Sequence, residues 1–308
     1  MLFVENIIPE LHRFLDAGDR IALATLIHVE GSSPRPVGSQ IGVTGDGRSI
    51  GMISGGCAEK AIIAEAVRCI ENAENKLVRY GKGSPYIDVV LPCGSGIDIF
   101  IEAKKSVDIV KTVYESLARR MPIQMTVELA SLHSTISAAA GESQSDAELF
   151  QKTFEPAYRI LAFGEGANLA TFCTLAKNAG FDVIAFSPDE DALRYFAQKD
   201  IAGMSIFQGM NLSTLEIDEY SAVVTLFHEH EWESEILCAA LNSNADYIGA
   251  LGSRRTHDIR LASLAEKAPT ARPSRTIKGP VGLDIGAQSP SEISISIIAE
   301  IIAHRRQP

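Results

Sequence analysis

The spacing of hydrophobic and polar positions changes along the chain, and the change predicts two domains. Between residues 21 and 102, short apolar runs such as IALATLIHVE alternate with glycine-rich turns, which is typical of strands. From Tyr158 onward, YRILAFGEGANLATFCTLAKNAGFDVIAF has the pattern of a strand, a glycine turn, a helix and a second strand. The fold class predicted is α/β: a mixed α/β domain over residues 1–130, a linker over 131–157, and a doubly wound parallel sheet over 158–308.

Within the first domain the pattern is specific enough to predict individual elements. MLFVENIIPELHRFLDAG indicates an amphipathic helix, and SQIGVTGDGRSIGMIS a hairpin with the turn Thr44-Gly45-Asp46-Gly47. A helix follows Cys57, strands follow at KLVRYG and IDIFIEA, and another helix spans residues 106–121. HSTISAAAGESQSDAELFQKTFEPA is small and polar, so we expect a loop or irregular hairpin from about residue 130 to 157.

Charge and cysteine content restrict the classes of partner. A net charge of −11 over 308 residues argues against nucleic acid or an anionic membrane as a general partner, because both require a basic surface. We expect no membrane span, since no apolar run reaches about 20 residues. We expect no signal peptide, because the start of the sequence has early acidic residues and lacks a basic region with a small-residue cleavage site. The five cysteines are odd in number, scattered and without C-x-x-C spacing, so we expect neither a disulfide framework nor a zinc site. We therefore expect the protein to reside in a reducing cytoplasm.

Two cysteines stand beside glycines in positions that suit chemistry. In MISGGCAEKA, Cys57 follows Gly55 and Gly56 and is expected within the first turn of a helix, where amides and dipole favour a thiolate. Cys93 and Gly94 lie in the similar stretch LPCGSG. The alternative for each cysteine is a buried residue in a tight loop. Three others, Cys69, Cys173 and Cys238, lie in helical patterns and are predicted to pack as small hydrophobic residues.

A glycine turn in the second domain resembles a dinucleotide-binding fingerprint in part. Gly164 and Gly166 lie where a strand turns into a helix, which is the arrangement that holds phosphate in Rossmann-like folds. The third glycine position is Leu169, and Ser187 stands where an acid usually binds a ribose, with Asp189 two residues later. A generic turn, bound NAD or FAD, and a nucleotide-like or pterin ligand all remain open.

Three further stretches of the second domain contain candidate ligand residues. His228 and His230 in FHEHEWE suggest a metal site, a loop that lines the ligand crevice, or a plain solvated loop. The basic pair of GSRRTHDIRL begins a helix after Ser253, which suggests either an anion held by Arg254 and Arg255 or a solvated surface. The glycine-rich loop around Asp284 is predicted to contact a ligand or an interface.

The helix after this loop has a recognisable beginning. Ser289 and Glu292 predict a capping box around Pro290, which identifies the last helix as structural.

Taken together, these segments closely resemble the XdhC/CoxI family, whose members mature molybdenum hydroxylases such as xanthine dehydrogenase. The resemblance rests on ALATLIHVEGSSPRPVGSQIGVTGDGRSIGMISGGCAEKAI and LPCGSGIDIFIE in the first domain, and on YIGALGSRRTHDIRL and GPVGLDIGAQSPSEISISIIAEII in the second. It covers nearly the whole chain apart from residues of about 103 to 157. Leu169 and Ser187 depart from a nicotinamide-binding pattern.

The resemblance implies a chaperone, rather than a catalyst, that binds the molybdenum cofactor (molybdopterin). It would hold the cofactor for insertion into a molybdenum hydroxylase apoenzyme and work with a cysteine desulfurase, as a homodimer; whether it also assists sulfuration stays open. Cys57, Cys93 and Glu59 are expected to carry the chemistry. The expected cofactor-binding residues are Ser33, Arg35, Ser54, Gly55, Gly56, Gly94, Gly164, Gly166, His228, Ser253, Arg254, Arg255 and Asp284.

Two other functions compete with this one. An NAD(P)-dependent oxidoreductase would use the Rossmann-like domain, and a metal hydrolase would use His228 and His230. No resident metal is expected under the chaperone hypothesis.

Overall fold

The computed structural model describes residues 6–85, 91, 94–139, 141, 144–145, 148–207, 209–227, 233–267 and 276–306. The chain divides into two compact units, the first ending at Pro156 and the second beginning at Ala157. Within the residues described, no helix is long and apolar enough to cross a lipid bilayer.

In its described residues, the first unit contains three helices and two antiparallel sheets. The helices are α1 (Ile8–Asp16), α2 (Glu59–Asn72) and α3 (Ser106–Ala118). The strands are β1 (Ile21–Glu30), β2 (Gln40–Thr44), β3 (Ser49–Gly51), β4 (Lys76–Gly81), β5 (Gly96–Glu102), β6 (Ile123–Glu128), β7 (His133–Ala138), β8 (Gln144–Ser145) and β9 (Leu149–Phe154). Five strands form one sheet in the order β3-β2-β1-β5-β4, and four form the other in the order β7-β6-β9-β8.

Residues 21–27 of strand β1 are buried on both faces of the sheet, which explains why all of them except Thr25 are apolar. Ala22, Ala24 and Leu26 pack with α2 on one side, in the same core as Ile62 and Cys69. The alternate positions Ile21, Leu23 and Ile27 pack on the other side with α1, α3, β6 and β9. Because successive side chains of a strand point to opposite faces, a strand that is covered on both faces shows a nearly continuous apolar run instead of alternation. The predicted helices, the strands at KLVRYG and IDIFIEA and the hairpin with its turn before Arg48 are confirmed.

The segment over residues 131–157, expected to be a loop or irregular hairpin and a linker, instead contributes three strands to the second sheet in its described part. Strands β7 and β9 both pair antiparallel with β6, and Phe150 and Phe154 of β9 are buried. The prediction was wrong because few apolar side chains mark this stretch: β7 is largely exposed, and β9 places Lys152 between its two buried aromatic residues. Pairing with β6, rather than local pattern, decides its structure.

The second unit is a parallel sheet covered on both faces. Its strands are β10 (Arg159–Gly164), β11 (Asp182–Ser187), β12 (Ala202–Ser205), β13 (Ser221–Leu226) and β14 (Tyr247–Ala250). Its helices are α4 (Gly166–Asn178), α5 (Glu190–Gln198), α6 (Glu233–Asn242), α7 (Arg254–Lys267) and α8 (Pro290–Arg305), with a 3₁₀ turn at Leu212–Thr214. The strand order is β12-β11-β10-β13-β14, so the winding reverses between β10 and β13.

This topology confirms the predicted doubly wound, Rossmann-like sheet. Side chains of α4, α5 and α8 pack on one face, and those of α6 and α7 on the other. The predicted capping box of α8 is also confirmed, since Glu292 N donates to Ser289 Oγ at 3.3 Å and Ser289 N to Glu292 Oε2 at 2.9 Å. In such sheets the carboxyl ends of the strands at the reversal point form a crevice for ligands.

Candidate functional site

A pocket of about 350 Å³ opens in the first unit beside the Cys57 thiol. Three chain segments form it: the β1–β2 loop, the loop between β3 and α2, and the segment that leads into β5. Serines and apolar side chains line it, with no charged side chain among the lining residues that the structure describes. We call it the thiol pocket, and its lining residues are Ser32, Ser33, Pro34, Ser54, Cys57, Leu91, Ser95 and Ile97.

Glycines allow the three segments to approach one another closely. Gly55 has φ +74°, and a Cβ atom there would lie 3.2 Å from Pro34 Cγ. Gly31 has φ +95°, and a Cβ atom there would lie 3.3 Å from Ser95 Cβ. Side chains at these positions would strain the backbone and push the segments apart. The pocket therefore depends on glycine at both contacts.

The Glu59 carboxylate fixes the loop that carries the thiol. It accepts hydrogen bonds from Ser54 N at 2.7 Å, Gly56 N at 2.8 Å and Ile53 N at 3.2 Å. The Ser54 hydroxyl donates to the same carboxylate at 2.5 Å and accepts from Ala58 N at 2.7 Å. Both carboxylate oxygens of Glu59, which is only 5% exposed, are thus engaged within the loop.

These hydrogen bonds also set the charge state of Glu59. Burial by itself would raise the pKa of the carboxyl group, because it removes water from the charged form. The hydrogen bonds from the Ser54 side chain and from the loop backbone outweigh burial, and the pKa of Glu59 lies below its ordinary value. The carboxylate therefore stays ionised at neutral pH and serves as an acceptor only.

Cys57 is exposed and lines the pocket, but it does not lie in the first turn of α2 as expected. The helix begins at Glu59 with Ala58 as its N-cap, so Cys57 precedes the cap. The physical reason is the tight turn before it: Gly55 and Gly56 have positive φ values of +74° and +108°, and Glu59 reaches back to Gly56 N. The thiol therefore projects from a rigid loop rather than from the helix.

The cysteines predicted to pack as small hydrophobic residues behave differently from Cys57. Cys69 and Cys173 are fully buried, as predicted, and Cys238 packs half-buried against the apolar core under α6. Burial raises the pKa of the Cys69 thiol to about 11 and raises that of Cys173 as well. Deep burial and a raised pKa make the Cys69 and Cys173 thiols poor nucleophiles, whereas the Cys57 thiol is accessible to solvent.

Cys93 lies outside the described residues, but the chain on either side of it borders the thiol pocket. Leu91 and Ser95 both line the pocket. Gly94 is exposed with φ +66°, and its amide donates to the Leu91 carbonyl at 2.9 Å. The positive φ of Gly94 is a conformation that favours glycine, next to a residue that lines the pocket.

The β1–β2 loop also borders a second, smaller cavity of about 180 Å³. Ser33 lines the thiol pocket and accepts a hydrogen bond from Arg35 N at 3.3 Å, whereas the half-buried Arg35 side chain lines the second cavity. We call this cavity the cation pocket and define it by Arg35, Ser39, Met52 and Lys152. Lys152 was not among the residues predicted from the sequence.

In the second unit, Gly164 and Gly166 form the turn between β10 and α4. A Cβ atom on Gly164 would lie 3.0 Å from the backbone of Leu226, and Gly166 has φ +66°, so both positions favour glycine. Leu169, at the third fingerprint position, is fully buried in the core under α4. The turn is therefore open to a ligand at Gly166 and packed at Leu169.

The residues that would bind a ribose are used for structure. Ser187 is fully buried, and its hydroxyl accepts from Asp189 N at 3.2 Å. Asp189 is the N-cap of α5, and its carboxylate accepts from Asp191 N at 2.8 Å. The acid nearest to the usual ribose position thus caps a helix.

Ser253, Arg254 and Arg255 lie at the start of α7, as the sequence indicated. The Ser253 hydroxyl accepts from Thr256 N at 3.1 Å, which is an N-cap contact. Both arginines are exposed, and in the part of the chain that is described neither forms an ion pair. Asp284 is exposed in the loop that precedes α8.

A buried ion pair at the carboxyl ends of β13 and β14 was missed by sequence reasoning. Glu233, 2% exposed, accepts from Arg260 Nε at 2.8 Å and from Thr225 Oγ1 at 2.6 Å. Arg260 also donates to the Leu251 carbonyl at 2.6 Å. The only signal was Glu233, the last acid of FHEHEWE, which the sequence alone does not distinguish from the two other acidic residues of that motif.

The predicted metal ligands find no support in the described part of the chain. His228 and His230 lie outside the described residues. Among those that are described, no group of three or more histidine, cysteine, aspartate or glutamate side chains is placed to hold a metal ion.

Comparisons with known proteins match both units. Residues 14–81 match the model of the XdhC and CoxI family, and residues 160–301 match that of the XdhC Rossmann domain. A crystal structure of a xanthine dehydrogenase from Bacillus halodurans superposes with a TM-score of 0.77 at 24% identity, covering 97% of this chain and 95% of that one. At this identity the superposition shows a shared fold.

Curated relatives align over almost the full chain. The molybdenum cofactor insertion chaperone PaoD of Escherichia coli is 30% identical over 291 residues, which are 94% of this chain and 85% of the relative. A Bacillus subtilis protein named as a probable xanthine dehydrogenase subunit is 28% identical over 332 aligned positions, covering 96% of this chain and 98% of the relative. The chain therefore belongs to the XdhC and CoxI family, as its motifs predicted.

Proposed function

We propose that this protein binds the molybdenum cofactor and holds it for insertion into a molybdenum hydroxylase of the xanthine dehydrogenase type. The observation that carries the proposal is the exposed Cys57 thiol at the edge of a pocket large enough for a ring system. Support comes from the relatives, one of which is named as a molybdenum cofactor insertion chaperone and another as part of a probable xanthine dehydrogenase.

The thiol pocket suits the chemistry of this cargo. Leu91, Ile97 and Pro34 offer apolar surface to the faces of a flat ring, and serine hydroxyls can donate to or accept from its polar edges. The Cys57 sulfur is a soft ligand of the kind that molybdenum accepts. The residues present therefore fit the group.

The rest of the loop positions the thiol. Because both oxygens of Glu59 and the hydroxyl of Ser54 are engaged within the loop, we assign these two residues a positioning role and Cys57 the contact with the cargo. A thiol held on a rigid loop loses little conformational entropy when a ligand binds. Cys93 remains a proposed second contact.

The remaining expected ligands and partners belong to the same proposal. Gly164, Gly166, Arg254, Arg255 and Asp284 are proposed contacts of the second unit with the cargo or its recipient. A molybdenum hydroxylase apoenzyme is the proposed recipient. A cysteine desulfurase is the proposed sulfur donor and a homodimer the proposed assembly.

Retention of the cofactor by purified protein tests the proposal. The full chain is incubated anaerobically with molybdenum cofactor and passed over a desalting column, and retained pterin is quantified by its fluorescence after oxidation. We expect about one pterin per chain for the natural protein, and a loss of about tenfold or more in affinity for Cys57→Ser, because a thiolate–metal contact exceeds an ordinary hydrogen bond.

Cys238→Ser is the matched control, since it removes a half-buried thiol that does not line the pocket, and it should retain the cofactor fully. Failure of the natural protein to retain any pterin would remove the proposed function. Equal retention by Cys57→Ser and the natural protein would remove the thiol from the mechanism.

A further inference from the structure

The cation pocket contains a lysine where the strand pattern calls for an apolar residue. Phe150, Lys152 and Phe154 alternate along β9, so all three side chains point to the same face of the sheet. The two phenylalanines are buried, and the cross-strand partner of Lys152 on β6 is the fully buried Met125. Lys152 is therefore a cation on a core-facing row.

The Lys152 ammonium group is not neutralised where it lies. Its nitrogen is 5.1 Å from the centroid of the Phe154 ring, and a Cβ atom on Gly38 would lie 3.6 Å from it. Within the residues described, it has no salt bridge and no hydrogen bond, and Glu155 acts on it only through its more distant charge. Burial lowers the pKa of Lys152 to about 8, since the charged form is short of water and counter-charge.

Two further polar groups share this cavity. The Ser39 hydroxyl is buried, with 9% of the residue exposed, and among the described residues it has no hydrogen-bond partner. Such a group costs free energy unless something fills its hydrogen-bonding capacity. The guanidinium of the half-buried Arg35 lines the cavity from the same loop. Two cations and an unused hydroxyl form the donor set that a small tetrahedral anion requires.

The cation pocket lies next to the thiol pocket along the chain. The β1–β2 loop contributes Ser33 and Pro34 to one and Arg35 and Ser39 to the other. The β3–α2 loop likewise contributes Ser54 to the thiol pocket and Met52 to the cation pocket. A ligand with a ring system and an anionic arm would find complementary surfaces on consecutive residues of the same two loops.

We infer that Lys152, Arg35 and Ser39 bind the phosphate group of a phosphate monoester whose ring system occupies the thiol pocket. The inference rests on the proposed function, in which this ligand is the molybdenum cofactor. It places the phosphate in the first unit, on residues of which only Arg35 stood out in the sequence, instead of at Arg254 and Arg255.

Titration with inorganic phosphate tests the anion site independently of the cofactor. Binding is followed by calorimetry and by the ¹³C signal of methylated Lys152, assigned by its loss in Lys152→Arg. In the natural protein, phosphate should bind and raise the pKa of Lys152 from about 8 toward its ordinary value, because a bound anion favours the charged form. Lys152→Met, which replaces the ammonium group with an apolar side chain of similar length, should weaken the affinity for phosphate about tenfold or more.

Ser39→Ala should weaken phosphate binding severalfold, whereas Lys111→Gln, a charge removal on the exposed face of α3, should leave it unchanged. Circular dichroism confirms that each variant is folded. Absence of phosphate binding to the natural protein, or unchanged binding by folded Lys152→Met, would overturn the inference. Loss of phosphate binding in Arg254→Ala/Arg255→Ala alone would overturn it as well.

A comparison of cofactor with and without its phosphate separates this inference from the proposed function. Removal of the phosphate by a phosphatase should reduce retention by the natural protein about tenfold and have little effect on Lys152→Met, which has already lost the contact. If removal of the phosphate reduces retention equally in both proteins, the phosphate site is contradicted, whereas the proposed function is still supported by retention of the intact cofactor. If no cofactor is retained at all, the proposed function fails, and the phosphate titration still decides whether the anion site exists.

Discussion

At the scale of single residues, Glu59 shows how an acid beside a thiol can act through the backbone. Its four hydrogen bonds to residues 53–56 hold the turn that presents Cys57. Glu59→Gln replaces an acceptor oxygen with a donor that faces donors, so we expect a loss of about 1–3 kcal/mol in the free energy of unfolding of the first unit. Urea unfolding and hydrogen exchange of residues 52–60 measure it.

The exposed Glu71 lies on the same helix, so Glu71→Gln should change neither measurement. If Glu59→Gln is as stable as the natural protein and its loop amides exchange no faster, the carboxylate does not hold the loop.

Acid should remove this contribution in a defined direction. The pKa of Glu59 is lowered in the folded state relative to its ordinary value of 4.5, so its contribution is fully present above that value. It is lost as the pH falls through the lower folded-state pKa. The stability difference between the natural protein and Glu59→Gln should therefore be largest at neutral pH and shrink in increasingly acidic buffers. A constant difference would show that the charge of Glu59 does not matter.

At the scale of elements, the Glu233–Arg260 pair joins the start of α6 to α7 at the end of the parallel sheet. Both side chains are almost fully buried, 2% and 4% exposed, and the pair is supported by Thr225 and the Leu251 carbonyl. Arg260→Ala would leave the Glu233 carboxylate buried without its counter-charge, which costs about 3–5 kcal/mol. Thermal unfolding of the full chain should show a large loss of stability.

Arg255→Ala, an exposed substitution on the same helix, provides the comparison and should change stability by less than about 0.5 kcal/mol. Similar small effects of both substitutions would mean that the second unit does not rely on the buried pair.

The elements that the sequence predicted share one property: each is marked by a pattern within its own consecutive residues. The pattern is amphipathic spacing in α1, an apolar run in β1 and a capping box in α8. Strands β7 and β9 lack such a signal, because β7 is largely exposed and β9 interrupts its apolar row with Lys152. Lys152, which interrupts the apolar pattern of β9, is also the residue on which the inferred binding site depends.

At the scale of the whole molecule, the Rossmann-like sheet does not by itself imply a nicotinamide cofactor. Ser187 is buried and Asp189 caps α5, so no acid is free at the usual ribose position of the described chain. We expect no shift of the unfolding temperature on addition of NAD(H) or NADP(H). A nucleotide that bound the folded protein, added at 100 times its dissociation constant, would stabilise it by about 2.7 kcal/mol, which a thermal scan detects. A clear shift, abolished by Gly166→Val, would favour the oxidoreductase hypothesis instead.

The sequence by itself determined the α/β class, the parallel second sheet, the family, and the glycine–cysteine motif of residues 55–57, because each is encoded by neighbouring residues. Only the tertiary structure decided that Glu59 turns back onto its own loop, that Glu233 meets Arg260, and that Lys152 enters a cavity with Arg35 and Ser39. In the sequence, each of these charged residues is indistinguishable from the many charged residues that lie on the surface. Burial and pairing arise only when distant segments pack, and they determine whether a charged side chain stabilises a loop, forms an ion pair or lines a cavity.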